Sequence, residues 1–408
     1  MVERSTPKIA WLSAHPLGNS GYSRQTREIV TRLADLGYEI YCIGGFGTQT
    51  IYGMHVELQT PRGNRVLCLN TFGDPSGRTV FDRYAKVFGF NLVITLWDYM
   101  LTEWLNEKQI PWIAQGPIDA ELTSKWANQV RNAYMIVAYS KYAYKQLLKY
   151  YPPSRVRYIP HGVNTEVFRP LPEDTRQEAR KRMGFPEDAL VFINVSDNVP
   201  RKQLGFLLYC FKKFIEKHPH EKLYLYLHTN WSVGWPRGLD IPELIRELGL
   251  SDRVKLPTLD PMIQPIDDLQ MCLIYNACDV MLHTSIAEGF GLPIIEAYAC
   301  GVPAIAVWSS SMIELVLPVT GWLIDTVDDY IYYPHYVPTL QHHKVPSMNS
   351  TLKLMELALE AWKSGELEKY KHRAREFALQ YDWSRIIPLW DSLLKEVMED
   401  LRLWSYLR

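Results

Sequence analysis

The feature that most constrains this chain is its rhythm. Short apolar, β-rich runs alternate with loops and amphipathic helical stretches, a pattern that calls for parallel strands joined by crossover helices. Lys8–Ser13 (KIAWLS) reads as a buried strand and Gly18–Tyr22 as a polar, glycine-containing loop. Ser23–Leu36 follows as a helix with Ile29, Val30, Leu33 and Leu36 on one face, stopped by Gly37. Glu39–Ile43, Leu92–Leu96, Ile110–Ala114, Met135–Tyr139 and Arg157–Ile159 continue this first series. A second series has strands at Val191–Val195, Leu223–His228, Val254–Leu256, Asp279–Thr284, Ala304–Val307 and Trp322–Ile324. Between the two lies Val167–Pro172, whose prolines disfavour continuous secondary structure and mark a linker. The expected architecture is α/β, with two doubly wound, Rossmann-like domains facing a central cleft. In such sheets ligands bind beyond the carboxyl ends of the strands.

Two segments depart from the rhythm. Asp325–Met348 is rich in Tyr, Pro and His and reads as a long surface loop or a lid. Arg385–Arg408 reads as a helix, with Trp390, Leu394, Val397, Leu401 and Trp404 in one apolar stripe that must pack on something.

Composition narrows the function classes. Forty-four basic against 45 acidic side chains give a net charge of −1, without the basic footprint of a nucleic-acid binder. No apolar run approaches the roughly 18 residues of a membrane span, so a cytoplasmic chain is expected. The six cysteines are scattered through apolar segments without a C-x-x-C, which fits buried thiols better than a zinc site or a disulfide scaffold. One local charge feature remains. From Leu122 to Thr165 there is no Asp or Glu, while Lys125, Arg131, Lys141, Lys145, Lys149, Arg155 and Arg157 occur among tyrosines. Residues 125–157 could give a peripheral membrane contact with anionic headgroups, or the tyrosines pack and the lysines are simply solvated.

The most informative segment is Asp279–Pro303, DVMLHTSIAEGFGLPIIEAYACGVP. A strand runs into a loop containing Glu288, Gly289 and Gly291, and Pro293 suits the start of a helix. Backbone amides at such a start favour a phosphate or hydroxyl. Glu296 follows on a helix that is otherwise almost wholly apolar, where a carboxylate needs hydrogen-bond partners. Singly, Glu296 could merely complement the helix dipole and Glu288 could be a solvated loop residue. Their joint spacing with the glycines and proline argues for a site.

Glu288-Gly-Phe-Gly-Leu-Pro-Ile-Ile-Glu296, followed by Cys300-Gly-Val-Pro303, resembles the Glu-x₇-Glu signature of the retaining glycosyltransferases of family 4, whose fold is the two-domain GT-B type. Tyr158–Pro170 and Gly18–Gly37 are similar to that family's pre-linker segment and N-terminal glycine loop. The resemblance implies transfer of a hexose from a nucleoside diphosphate sugar to an acceptor hydroxyl, with retention and without a metal or other cofactor. The donor base, UDP or GDP, stays open, as does a glycan, lipid or protein acceptor. Glu296 would hold the ribose hydroxyls and Glu288 the transferred sugar, with the amides of Phe290, Gly291 and Leu292 nearby. In the loop Ser196–Gln203, Lys202 matches the family's diphosphate lysine, and Asn198 joins the donor contacts. The family arginine falls where this chain has Asp197, so Arg201 is expected to supply that charge. Gly21 would let backbone approach the donor phosphate. Asp119 would orient the acceptor or stabilise positive charge on the sugar, unless it only caps a helix over Ala120–Trp126. Asp98 is a lesser candidate of the same kind. His161 reads as structural, and Ser311 with Glu314 as a capping box.

The resemblance also implies that helix 385–408 returns to the first domain. The expected division is then 1–168 with 385–408 against 169–384. Competing readings are a nucleotide-sugar epimerase on the same fold and a non-catalytic sugar-nucleotide binder. A nicotinamide dehydrogenase is rejected, because Gly44-Gly-Phe-Gly47 ends the second strand, not the first.

Overall fold

The computed structural model describes residues 7–18, 20–45, 55–231, 238–261, 264–332 and 341–406. The chain divides into two compact units. The first comprises Met1–Gly162 with Trp383–Arg408, and the second Val163–Asp382.

Among the described residues, the first unit is built on eight strands: β1 (Lys8–Ala14), β2 (Glu39–Gly45), β3 (His55–Gln59), β4 (Arg65–Asn70), β5 (Leu92–Leu96), β6 (Trp112–Gln115), β7 (Met135–Ala138) and β8 (Val156–Tyr158). Their order is β3-β4-β2-β1-β5-β6-β7-β8, parallel throughout except where β3 runs antiparallel to β4. The central strands β5, β6 and β7 are buried along their whole length, as expected of strands covered by helices on both faces. β3 and β4 were not legible beforehand. His55–Gln59 alternates exposed and half-buried residues, so this edge strand lacks the apolar run that betrays the others.

The first helix, Gly21–Asp35, begins two residues before the expected Ser23, because the Ser20 hydroxyl accepts the Ser23 amide at 3.1 Å and caps the helix there. The C-terminal helix Trp383–Tyr406 packs on it. Trp390 is fully buried with its ring 5.5 Å from Trp11, and the Tyr38 hydroxyl donates to Asp391 at 2.7 Å. Leu394 and Val397 continue the buried stripe, whereas the side chain of Trp404 lies outside those described. Gly162 admits the Trp383 ring, since a Cβ there would stand 2.5 Å from it.

The second unit carries β9 (Leu190–Val195), β10 (Leu223–His228), β11 (Val254–Lys255), β12 (Val280–His283), β13 (Ala304–Val307) and β14 (Gly321–Ile324). They form one parallel sheet in the order β11-β10-β9-β12-β13-β14. Counted from β9 this is 3-2-1-4-5-6, the order of doubly wound dinucleotide folds, and it reverses between β9 and β12. Segment 325–348 is not a plain loop. β15 (Thr326–Tyr332) and β16 (Gln341–Pro346) pair antiparallel there, and residues 333–340 lie outside the described set.

A buried ion cluster fastens the start of β12. Asp279, fully buried, accepts from Arg180 at 3.1 Å, Arg176 at 2.5 Å and the Val191 amide at 2.9 Å. Arg180 is itself fully buried and also donates to the Ala277 carbonyl at 3.1 Å. These bonds supply the partners that buried charges require.

Candidate functional site

The reversal between β9 and β12 brings together two loops that are far apart in sequence. The Thr284 hydroxyl donates to the Lys202 carbonyl at 3.0 Å, and the Ile286 amide to the Arg201 carbonyl at 3.0 Å. Held this way, Arg201 and Lys202 from the β9 loop face Glu288 from the β12 loop. Lys202 Nζ pairs with Glu288 Oε1, Arg201 Nη1 lies 3.2 Å from Oε2, and His283 Nε2 lies 2.9 Å from Oε1. Arg201 also donates to the Ala287 carbonyl. Asp197 is exposed, and it is Arg201 that brings a guanidinium to the acid.

Glu288, Lys202 and His283 are all buried, and their charges follow from that. Burial pushes the Glu288 carboxyl up, but Lys202 and Arg201, with the His283 hydrogen bond, outweigh it and hold the group well below its usual range. Burial pulls Lys202 down against the attraction of Glu288. Burial likewise lowers His283, so at neutral pH its imidazole is uncharged and Nε2–H donates to the acid. The result is one anion between two cations and a neutral donor, with a surplus positive charge.

The turn after Glu288 is braced from β13. The Ser310 hydroxyl accepts the Glu288 amide at 2.8 Å, and the Ser311 hydroxyl reaches the Glu288 and Phe290 carbonyls at 2.8 and 2.9 Å. The expected Ser311 capping box is therefore corrected. Ser311 makes no side-chain cap, because its hydroxyl is committed to this turn. Gly291 has φ 98°, a left-handed conformation that suits glycine, and from it the helix Leu292–Ala299 starts with Pro293 in its first turn. Phe290 is buried with its ring 5.7 Å from Tyr381, while Leu292 is half-buried. Glu296, the fifth residue of the helix, is buried and accepts from the Tyr275 hydroxyl at 3.0 Å.

Asn198 has its side chain engaged by the segment before the Ile241 helix. Its Nδ2 donates to the Leu239 carbonyl at 2.7 Å and its Oδ1 accepts the Leu239 amide at 3.0 Å, so the side chain ties down a loop. His283, Ser310 and Tyr275 were missed, as was the turn-bracing role of Ser311. Each is an ordinary residue in sequence and acquires meaning only from a partner 5 to 23 positions away.

In the first unit the sheet order reverses between β1 and β5. Gly21 opens the helix that follows β1, and the Tyr22 hydroxyl reaches Asp98, just past β5, at 3.4 Å. Asp119 is half-buried in the stretch after β6. It caps no helix, because the next one, Ser124–Asn128, is capped by the Thr123 hydroxyl. His161 is buried, stacked on Tyr139 at 4.2 Å. In the basic-aromatic stretch, Tyr134, Tyr150 and Tyr151 spend their hydroxyls on Asp400, the Leu122 carbonyl and the Ala127 carbonyl. Lys149 pairs with Glu121 and Arg157 with Glu396. The membrane contact expected of residues 125–157 draws no support from these placements. Among the described residues, no helix is long and apolar enough to cross a membrane, and no group of three or more His, Cys, Asp or Glu side chains could hold a metal ion.

The two parallel sheets define a fold of the GT-B class. Sucrose-phosphate synthase from Thermosynechococcus elongatus superposes with a TM-score of 0.77 at 19% identity, over 97% of this chain and 100% of that one. Anabaena Alr3699/HepE, solved in complex with UDP-glucose, gives 0.71 at 17% identity over 95% and 99%. Residues 175–330, which contain the whole β9–β12 site, match the family described as glycosyl transferases group 1. The D-inositol 3-phosphate glycosyltransferase 2 of Catenulispora acidiphila is 32% identical over 160 residues, 38% of this chain and 35% of that protein. The D-inositol 3-phosphate glycosyltransferase of Thermobispora bispora is 33% identical over 193 residues, 45% and 42% of the two chains. The matched stretches thus span well under half the length of these relatives.

Proposed function

We propose that this chain is a retaining glycosyltransferase that moves a hexose from a nucleoside diphosphate sugar to an acceptor hydroxyl. The observation that carries the reading is the convergence of Arg201, Lys202 and Glu288 where the second sheet reverses its strand order. Two fixed cations there suit a leaving diphosphate, whose charge grows as the glycosidic bond breaks, so they stabilise the transition state more than the bound donor. An incoming diphosphate competes with Glu288 for Lys202 and Arg201. The released carboxylate is then free to accept from hydroxyls of the transferred hexose. Glu296, kept in place by Tyr275, is a ribose acceptor in this reading, and the polarised start of the Leu292 helix faces the phosphates. The reaction needs no metal, since side-chain cations and helix amides meet the diphosphate charge. The donor is a UDP or GDP sugar, and the acceptor a glycan, a lipid or a protein. Gly21 and Asp119 are proposed as the phosphate and acceptor contacts of the first unit.

The test is nucleoside diphosphate release from UDP, GDP and ADP sugars by the full chain, with binding followed in parallel by thermal shift. Lys202→Met should reduce turnover by about 10²–10³-fold, the usual cost of removing one transition-state donor. Glu288→Gln should lose turnover while still binding nucleoside diphosphate, because it removes an anion from beside the phosphate site. Binding of sugar nucleotides without turnover, across acceptors of all three kinds, would instead identify a binding protein. Absence of any binding would sink the assignment.

A further inference from the structure

Glu296 lies beside an unusual pair of cysteines. Cys272, on the helix Asp268–Asn276, has its Sγ 3.9 Å from that of Cys300, which ends the Leu292 helix. Cys272 also lies 3.5 Å from the Arg169 carbonyl and accepts from Asn276 Nδ2 at 3.4 Å. Both sulfurs are buried, but the Asp268 helix is at the surface, with Leu269 and Leu273 exposed on either side of Cys272. All six cysteines are unbridged and buried. The other four make the contrast. Cys42 and Cys68 are register partners on β2 and β4 without exposure, and Cys42 is held well above its ordinary value by Cys68 and by burial. Burial pushes Cys210 up to about 12 and Cys278 still higher. Cys272 moves the opposite way. The Cys300 hydrogen bond, working against burial and helped by Arg169 and Asn276, lowers it to about 7. A substantial thiolate fraction at neutral pH is what distinguishes a reactive cysteine from an inert buried one.

We propose that Cys272 and Cys300 form a reversible disulfide that adjusts the position of Glu296. The oxidant class is a hydroperoxide. The Cys272 thiolate attacks one peroxide oxygen, the O–O bond breaks, water leaves after protonation, and Cys272 becomes a sulfenic acid. The Cys300 sulfur then attacks the Cys272 sulfur, the S–O bond breaks, and the Cys300 proton departs with the hydroxide as a second water. Two thiols and one hydrogen peroxide thereby give one disulfide and two water molecules, and an external thiol reverses the bond. Closing the sulfurs from 3.9 Å to a bonded separation of about 2.05 Å turns the two side chains toward one another and ties the two helices covalently at that point. Tyr275 follows Cys272 by three residues and Glu296 precedes Cys300 by four, so each lies one helical turn from the bond. The Tyr275–Glu296 hydrogen bond joins the same two helices, so a covalent tie between them bears on Glu296 through it.

The link to donor affinity rests on the function proposed above, and the test separates the two. The full chain is treated with hydrogen peroxide, digested without reduction and searched for a peptide joining Cys272 to Cys300. The same samples are titrated with UDP and GDP. The expected result is the linked peptide, its loss on adding dithiothreitol and in Cys272→Ser and Cys300→Ser but not in Cys42→Ser, and about fivefold weaker nucleotide binding by the oxidised protein. Absence of the linked peptide, equal bridging of Cys42 and Cys68, or a bridge that leaves affinity unchanged would overturn the proposal. If the reduced protein binds neither nucleotide, the donor assignment fails instead. In that case the linked peptide alone supports the pair, and its absence overturns it.

Discussion

His161 offers a sharp test of the electrostatics of the first unit. The imidazole is buried against Tyr139, and burial pushes its pKa from 6.5 down to about 3. In the unfolded chain the ring titrates near its ordinary value, so below pH 6.5 the unfolded state holds a proton that the native state refuses. Stability contributed by the neutral ring is therefore complete above pH 6.5 and is lost as pH falls toward 3. Between pH 6.5 and 5 the loss is one and a half units at about 1.36 kcal/mol each, about 2 kcal/mol. Any native value below about 4 gives nearly the same figure, because the native ring then stays neutral across the whole interval. For a domain of this size the matching change in Tm is about 4–8 °C. His161→Phe keeps an aromatic ring against Tyr139 and cannot titrate. The assay is differential scanning calorimetry of both full chains from pH 7.5 to 5, comparing slopes rather than absolute stabilities, so any packing cost of the substitution cancels. The variant should lose about 2 kcal/mol less than the wild type over that range. Parallel decline of the two would show that His161 takes up its proton in the native state as readily as in the unfolded chain.

Two other substitutions probe different parts of the second unit. Asp279→Asn leaves the fully buried Arg180 without its carboxylate and should cost about 3 kcal/mol, toward the lower end for a broken buried pair because Asn still offers an acceptor to Val191; urea denaturation at pH 7 reads it. A loss under about 0.5 kcal/mol would mean the cluster contributes no more than a surface pair. Ser311→Ala removes the donor to the Glu288 and Phe290 carbonyls and should cost about 1 kcal/mol, and nucleotide affinity should fall by a similar factor of about five. Isothermal titration with UDP and GDP measures the second effect. Unchanged affinity would show that the turn holds its shape without the serine.

Much of this molecule was legible from one dimension. β5, β10 and β13 coincide with their predicted limits because each is a short, largely apolar run, and such a run has few other ways to be buried. Glu288, the glycines, Pro293 and Glu296 could be picked out because turn chemistry and helix starts are local properties of a few adjacent residues. β3 was hidden because an edge strand with one wet face needs no apolar signature. Ser311 and Asp119 were each offered a local capping role, and the Ser311 hydroxyl is instead taken by the Glu288 turn, 23 positions away. Thr123 took the cap that Asp119 had been offered.

What the amino-acid order determined by itself is the set of elements and the chemistry along each, since hydrophobic period, caps and turns act over a few residues. What only the tertiary structure decided is which of those chemistries meet. A parallel sheet whose order reverses between β9 and β12 sets Lys202 and Arg201 against an acid 86 and 87 positions away, with His283 on the same carboxylate. It also brings together two cysteines 28 positions apart. Charge state and reactivity depend on burial and on neighbours at a few ångströms, and those distances exist only once the chain has closed on itself.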